Sequence, residues 1–222
     1  MFPKVAAIIT MLLIFSGISI ALDRPACLTR SDSKKSAESI IAANKMNDHE
    51  LLARLVFAEG LSTGFGDDPM VYEAIAWGVM NRVRLGEASP GMRRAYGRCI
   101  SGVIFKKGQF NPAVSKKSPF SKAFLCPDDP RRWIMAKNAA RIAIEGAGNP
   151  FIRTPWEKRH GLSLVVNFYY PRSVQAKGLA APWEGSKSLQ FIGDLSTDGK
   201  ALSASRVRFY RLNLPPGDLI KK

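Results

Sequence analysis

Glu59 is a carboxylate at a position where the surrounding pattern calls for an apolar side chain. In Asn47-Asp48-His49-Glu50-Leu51-Leu52-Ala53-Arg54-Leu55-Val56-Phe57-Ala58-Glu59-Gly60, residues Leu51, Leu52, Leu55, Val56 and Glu59 share the spacing of one helical face. The carboxylate therefore points where the leucines point. Loss of water around it and the negative end of the helix macrodipole both disfavour its charged form, so its pKa should rise. A carboxyl group that holds its proton near neutral pH can act as a general acid. The competing reading is a helix-end side chain that meets solvent beside Gly60.

The elements that would position Glu59 are signalled by caps. Asn47 reads as an N-cap, with Glu50 three residues on and Met46 and Leu51 placed as a hydrophobic staple; Gly60 reads as the C-terminal stop. Asp68-Pro69 opens a second helix, with Tyr72, Ala76, Val79 and Val83 on one side, ending near Gly86. The stretch that follows Gly86 and leads through Cys99 to Pro112 is rich in Gly and Arg and reads as irregular. Asp129-Pro130 starts a third helix, where Trp133, Ala136, Ala140 and Ala143 keep the helical period up to Gly146. After it, residues 164–170 are aromatic and β-branched, and residues 206–211 alternate basic and apolar like a half-buried strand. The expected class is α+β, mainly helical, with a small β region toward the C-terminus.

At 222 residues and 46% hydrophobic content the chain can bury one good core. Three segments are expected: residues 1–21 as a signal peptide, 22–45 as a polar linker or loosely docked arm, and 46–222 as the catalytic domain. Lys4 precedes an uncharged run over residues 5–20, and Ser19-Ile20-Ala21 puts small residues at a cleavage site, which favours export over a retained anchor. Arg24, three residues before Cys27, argues against a lipid anchor there. Export permits disulfides. Cys99 and Cys126 both fall inside the expected domain and form the favoured pair; the alternative is three free thiols. The only histidines, His49 and His160, lie far apart and no CxxC occurs, so neither metal nor cofactor is expected.

The net charge of +15 calls for, or at least tolerates, an anionic partner. For an exported protein, cell-wall glycan with its peptide carboxylates or an anionic wall or membrane surface fits. A nucleic acid conflicts with the signal sequence, and no nucleic-acid motif accompanies the basic residues.

Four ordered blocks then carry a resemblance. Ala53-Arg54-Leu55-Val56-Phe57-Ala58-Glu59-Gly60, Ala76-Trp77-Gly78-Val79-Met80-Asn81-Arg82-Val83, Val103-Ile104-Phe105-Lys106-Lys107-Gly108-Gln109-Phe110, and Asn167-Phe168-Tyr169-Tyr170-Pro171 with the later Trp183 resemble the spore-cortex-lytic cell wall hydrolase family. Tyr170 stands where that family usually shows asparagine. The resemblance implies a lysozyme-like single domain that cleaves peptidoglycan glycan strands, with Glu59 as the catalytic acid. It also draws Gln109, Tyr169 and Trp183 toward a glycan groove, in which Phe110 and Tyr170 are further candidates with core packing as the equal alternative, since aromatic faces and amides suit sugar rings and N-acetyl groups. Asn81 and Arg82 are expected to buttress structure.

Two chemistries remain open. A muramidase-type hydrolase needs a second carboxylate, for which Asp67, Asp68 and Glu73 are the candidates. A lytic transglycosylase needs only one acid, and the lone glutamate favours it. A noncatalytic basic protein that binds the cell wall or a membrane surface on the same fold is the competing class. Partners from sporulation, conjugation or secretion machinery are all compatible with the sequence.

Overall fold

The computed structural model describes residues 25–28, 35–146, 148–173, 176, 178, 180–197 and 200–213. The expected signal peptide at 1–21 lies outside them. In chain order the described residues form α1 (Ala37–Ala43), α2 (Asp48–Ser62), α3 (Pro69–Ala88), α4 (Pro90–Tyr96), α5 (Cys99–Ile104), α6 (Asn111–Val114), α7 (Ser121–Leu125), α8 (Pro130–Glu145) and α9 (Pro155–His160), then β1 (Val165–Tyr169), β2 (Leu189–Phe191), β3 (Leu195–Thr197), β4 (Lys200–Leu202) and β5 (Arg208–Leu212). The class is α+β, with a small sheet region following the helices.

The expected caps start the three long helices. Asn47 accepts from the Glu50 N–H at 2.8 Å, Asp68 from Met70 at 3.0 Å and Asp129 from Arg132 at 3.0 Å, each relieving an orphan donor of the first turn. Gly146 ends α8 in the left-handed conformation, φ 87°. Gly60, by contrast, does not stop α2. The helix runs on to Ser62, and the hydroxyls of Ser62 and Thr63 fold back onto the carbonyls of Glu59 and Gly60 at 2.8 and 2.7 Å. Gly60 is there for close packing: a Cβ on it would lie 2.6 Å from the ring of Tyr72, which is itself fixed by its hydroxyl bond to Gly66 O.

Helices α2, α3 and α8 pack against one another, and α5, α6 and α7 also lie against α2. Every residue from Leu51 to Gly60 is consequently buried, so α2 is a central helix enclosed all round rather than one with a single core face. The region expected to be irregular contains the short helices α4 and α5.

The sheet has order β1-β5-β2, antiparallel throughout, beside a β3-β4 pair. The β1–β5 register pairs Asn167 with Tyr210 and Phe168 with Phe209, and it shifts between Val165 and Asn167. Two neighbouring side chains of α3 hold this irregularity: Asn81 donates to Val165 O at 2.9 Å and Arg82 to Val166 O at 2.6 Å. Such a shift re-aims the side chains that follow it.

The disulfide differs from expectation. Cys126 pairs with Cys27, and Cys99 is a free, exposed thiol at the start of α5. The N-terminal arm runs back beside the end of α7, where Leu28 N–H donates to Leu125 O at 3.0 Å, which brings Cys27 to Cys126. Arg54, fully buried in α2, clasps both segments by donating to Leu125 O and Ala26 O at 2.6 Å each while pairing with Glu50 at 2.7 Å. Within α1, Ala37, Ile40 and Ile41 are buried. The described part of 22–45 is thus a docked arm that belongs to the domain.

The bridge closes a loop of 99 residues, a length at which cross-linking restricts the unfolded chain strongly. Replacing both Cys27 and Cys126 by Ser should cost about 2–5 kcal/mol in denaturant unfolding. Cys99→Ser should change stability by less than about 0.5 kcal/mol.

Candidate active site

Glu59 lies in the last turn of α2, 6% exposed, at one wall of a cleft of about 400 Å³. Residues around Gln109 and Ser118 form a second wall, and β1 with the turn after it forms the third. Burial lifts the Glu59 pKa from 4.5 to about 7, against weaker opposing effects of Tyr170, Arg82 and Ser62. The carboxyl group therefore holds its proton close to neutral pH, as its place in an apolar helix requires.

Tyr170 is the neighbour that matters most to that charge. Its hydroxyl is buried and interacts with Glu59, but it makes no hydrogen bond of proper geometry to any described residue. Burial first, then the Glu59 charge, pushes its own pKa well above 10. It is thus a neutral donor available to the Glu59 carboxylate once that group ionises. Its ring packs on Phe168 at 5.8 Å. Phe168 in turn occupies the space over Gly78 of α3, where a Cβ would come within 2.7 Å of it. This close approach sets how deep β1 sits against the helix.

Arg82 is a buried cation without a carboxylate within ion-pair range among the described residues. It is held instead by Val166 O, by the Gln109 side-chain oxygen, and by the rings of Phe110, Phe168 and Tyr96 at 4.8, 5.0 and 5.8 Å. Burial lowers its pKa to about 10, so it stays charged at neutral pH. Close to Glu59 but unpaired with it, Arg82 only partly offsets the cost of ionising the glutamate.

The expected groove residues meet in this cleft, with different parts to play. Gln109 lines it and is bonded to Arg82. Tyr169 lines it half-buried, donating to Gly178 O at 3.0 Å and meeting the edge of Trp183 at 6.1 Å. Trp183 is wedged between Tyr169 and Tyr210, and its indole N–H is buried without a partner among the described residues. Phe110 also lines the cleft, but it is only 1% exposed and packs within the core cluster, so most of its ring is engaged with protein. Tyr170 lines the cleft as well, partly exposed, while its ring packs on Phe168 and its hydroxyl lies beside Glu59.

The candidate second carboxylates fall elsewhere. Asp67 pairs with Arg132 at 3.3 Å on the surface, and Asp68 caps α3 and pairs with Arg206 at 2.6 Å. Glu73 is a partly exposed residue of α3 outside the cleft lining. Among the described residues Glu59 is the only carboxylate on the cleft. Nor do three His, Cys, Asp or Glu side chains cluster among them as a metal site would need.

Sequence reasoning missed Ser62, Tyr96 and Asn167 as lining residues and gave Arg82 only its structural half. Arg82 did carry a signal of the same kind as Glu59, a charge set among Val79, Met80 and Val83 in a buried helix. Tyr96 lay in a stretch with no periodicity to read.

Comparison with known protein families, characterised proteins and solved structures returned no match.

Because the folded protein binds the Glu59 proton more tightly than the unfolded chain, this group's stabilisation is complete below pH 4.5 and is lost as pH rises to about 7. Glu59→Gln removes that dependence. Relative to wild type the variant should gain on the order of 3 kcal/mol between those two pH values, then no more, as read from denaturant midpoints across pH.

Proposed function

We propose that the protein cleaves peptidoglycan glycan strands between N-acetylmuramic acid and N-acetylglucosamine, as a lytic transglycosylase with Glu59 as both acid and base. The observation that carries this reading is a single buried carboxylate, protonated near neutral pH, on a cleft that offers no second carboxylate among the described residues. Sugar-sized room, the half-buried Tyr169 and Trp183 and the amide of Gln109 support a glycan as the occupant. A helix-borne glutamate facing a cleft backed by a small antiparallel sheet also suits the lysozyme-like fold that the sequence blocks imply.

The steps balance with one carboxyl group. Glu59 gives its proton to the glycosidic oxygen as the bond to the muramyl C1 breaks. The muramyl 6-hydroxyl attacks C1, and its proton passes to the Glu59 carboxylate, which restores the acid and leaves a 1,6-anhydro end. Between the two transfers the buried carboxylate is charged, and the Tyr170 hydroxyl, the Arg82 cation and the Ser62 hydroxyl are the groups that stabilise it. A hydrolase would instead have to activate water with a second carboxylate.

The Cys27–Cys126 bridge fits an oxidising compartment, and no helix among the described residues is long and apolar enough to cross a membrane. The bridge agrees with export to the cell wall, where the net charge of +15 favours binding to an anionic polymer.

Purified protein incubated with peptidoglycan should release anhydro-muramyl products identifiable by mass, and Glu59→Gln should slow release by about 10²–10⁴-fold. Activity should fall as pH rises past about 7, where the acid form of Glu59 is lost. Reducing-end products would contradict the transglycosylase chemistry. No release by wild type, with binding to wall material that survives Glu59→Gln, would favour the noncatalytic binding protein.

A further inference from the structure

We propose that the segment from α4 to α7 is a docking face for an anionic phospholipid surface, with Val114 entering the headgroup layer and the lysines around it meeting the lipid phosphates. Docking of this kind goes beyond the cleavage chemistry and does not depend on it.

Between Glu87 and Asp128 the chain carries eight lysines and arginines and no carboxylate, which is more than half of the net charge of +15. Arg94 on α4, Lys107 before the cleft-lining Gly108, Lys117 before the cleft-lining Ser118, and Lys122 on α7 are all exposed. None of these four is ion-paired among the described residues. Several arginines elsewhere do find carboxylates, Arg132 with Asp67, Arg141 with Glu145 and Arg206 with Asp68 among them. Uncompensated like charge on one segment repels itself, and a polyanionic surface relieves that repulsion.

Charge alone would suit any polyanion, and the apolar side chains among these cations narrow the choice. Val114 is exposed at the end of α6, one of three large apolar side chains so exposed among the described residues, and Pro119 is exposed nearby in the chain. Lys116, Lys117 and Lys122, all exposed, flank them. The knuckle that carries these side chains is held in shape. Ser115 Oγ accepts from the Lys117 N–H and Ser118 Oγ from the Phe120 N–H, at 3.3 Å each. The N–H groups of Ser118 and Ser121 donate to the carbonyls of Ser115 and Ser118 at 3.1 Å. Buried Ala113 anchors one end, and Phe124, Leu125 and the Cys27–Cys126 bridge anchor the other. A hydrated polyanion would neutralise the lysines and leave Val114 in water. A bilayer of anionic lipid offers phosphates at the level of the lysine heads and apolar matter beneath them, which satisfies both kinds of side chain together. Ser118 and Phe120 of the same knuckle line the cleft, so the docked molecule opens its cleft beside the membrane.

The test is sedimentation with unilamellar vesicles, using the chain from Leu22, which keeps every described residue and omits the apolar run over residues 5–20 that would enter lipid by itself. At about 0.1 M salt, wild type should partition at least about ten-fold more strongly onto vesicles with about one-third phosphatidylglycerol than onto phosphatidylcholine alone. The double variant Lys107→Glu, Lys117→Glu should lose at least about ten-fold of that binding. The double variant Lys187→Glu, Lys200→Glu makes the same change of charge before β2 and at the start of β4, and should lose less than about three-fold. Val114→Ser should weaken vesicle binding about three-fold while leaving the binding of soluble polyphosphate unchanged. All five substituted side chains are exposed, so the core is untouched. Equal partition onto the two kinds of vesicle, or equal losses in the two double variants, overturns the proposal. So does vesicle binding indifferent to Val114→Ser with polyphosphate bound as tightly, which would identify a soluble polyanion as the partner. Vesicles hold no glycan, so these results stand whether or not the protein cleaves peptidoglycan, and their failure leaves the cleavage chemistry standing.

Discussion

The structure turns on the cost of enclosing one carboxyl group. Glu59 lies in a helix buried all round from Leu51 to Gly60, and among the described residues none forms an ion pair with it. A direct Arg82–Glu59 ion pair would have held the glutamate ionised and disabled it as an acid. Arg82 is instead turned to Val166 O, Gln109 and three aromatic rings, where its charge softens the burial of Glu59 without cancelling it. The outcome is a pKa of about 7, in the range where a group can both give and take a proton.

The rest of the fold supplies that arrangement. Helix α2 can be central only because α3 and α8 pack on it and α5, α6 and α7 lie against it as well. Cys27–Cys126 and Arg54 fasten the N-terminal arm and the end of α7 to this assembly. The register shift in β1, held by Asn81 and Arg82, aims Asn167, Tyr169 and Tyr170 at the cleft. The same arginine thus shapes the strand, orients Gln109 and sets the field at Glu59, three consequences of one desolvated cation.

What could be read in the chain was what local chemistry determines. Caps such as Asn47, Asp68-Pro69 and Asp129-Pro130 act on backbone groups a few residues away, so the three long helices and both principal strands were legible. Glu59 was legible because it broke an apolar period. Gly60 was misread because a glycine serves equally as a stop and as a gap for a neighbouring ring, and only the position of Tyr72 distinguishes them. The cysteine pairing differs from expectation for a related reason: Cys27 sits in a polar arm, and only the return of that arm to the end of α7 brings it to Cys126. Phe110 and Tyr170 carry side chains that suit either a core or a sugar, and how far the Phe110 ring and the Tyr170 hydroxyl are buried is a property of the assembled walls.

The central claim is that enclosure alone keeps Glu59 protonated up to neutral pH. Direct titration of the Glu59 side-chain carboxyl by ¹³C NMR, with the signal assigned by its loss in Glu59→Gln, tests it most directly. A midpoint near 7 is the expected result. A midpoint at or below 4.5 would mean that the carboxylate is solvated or paired, and would contradict its role as the acid of this cleft.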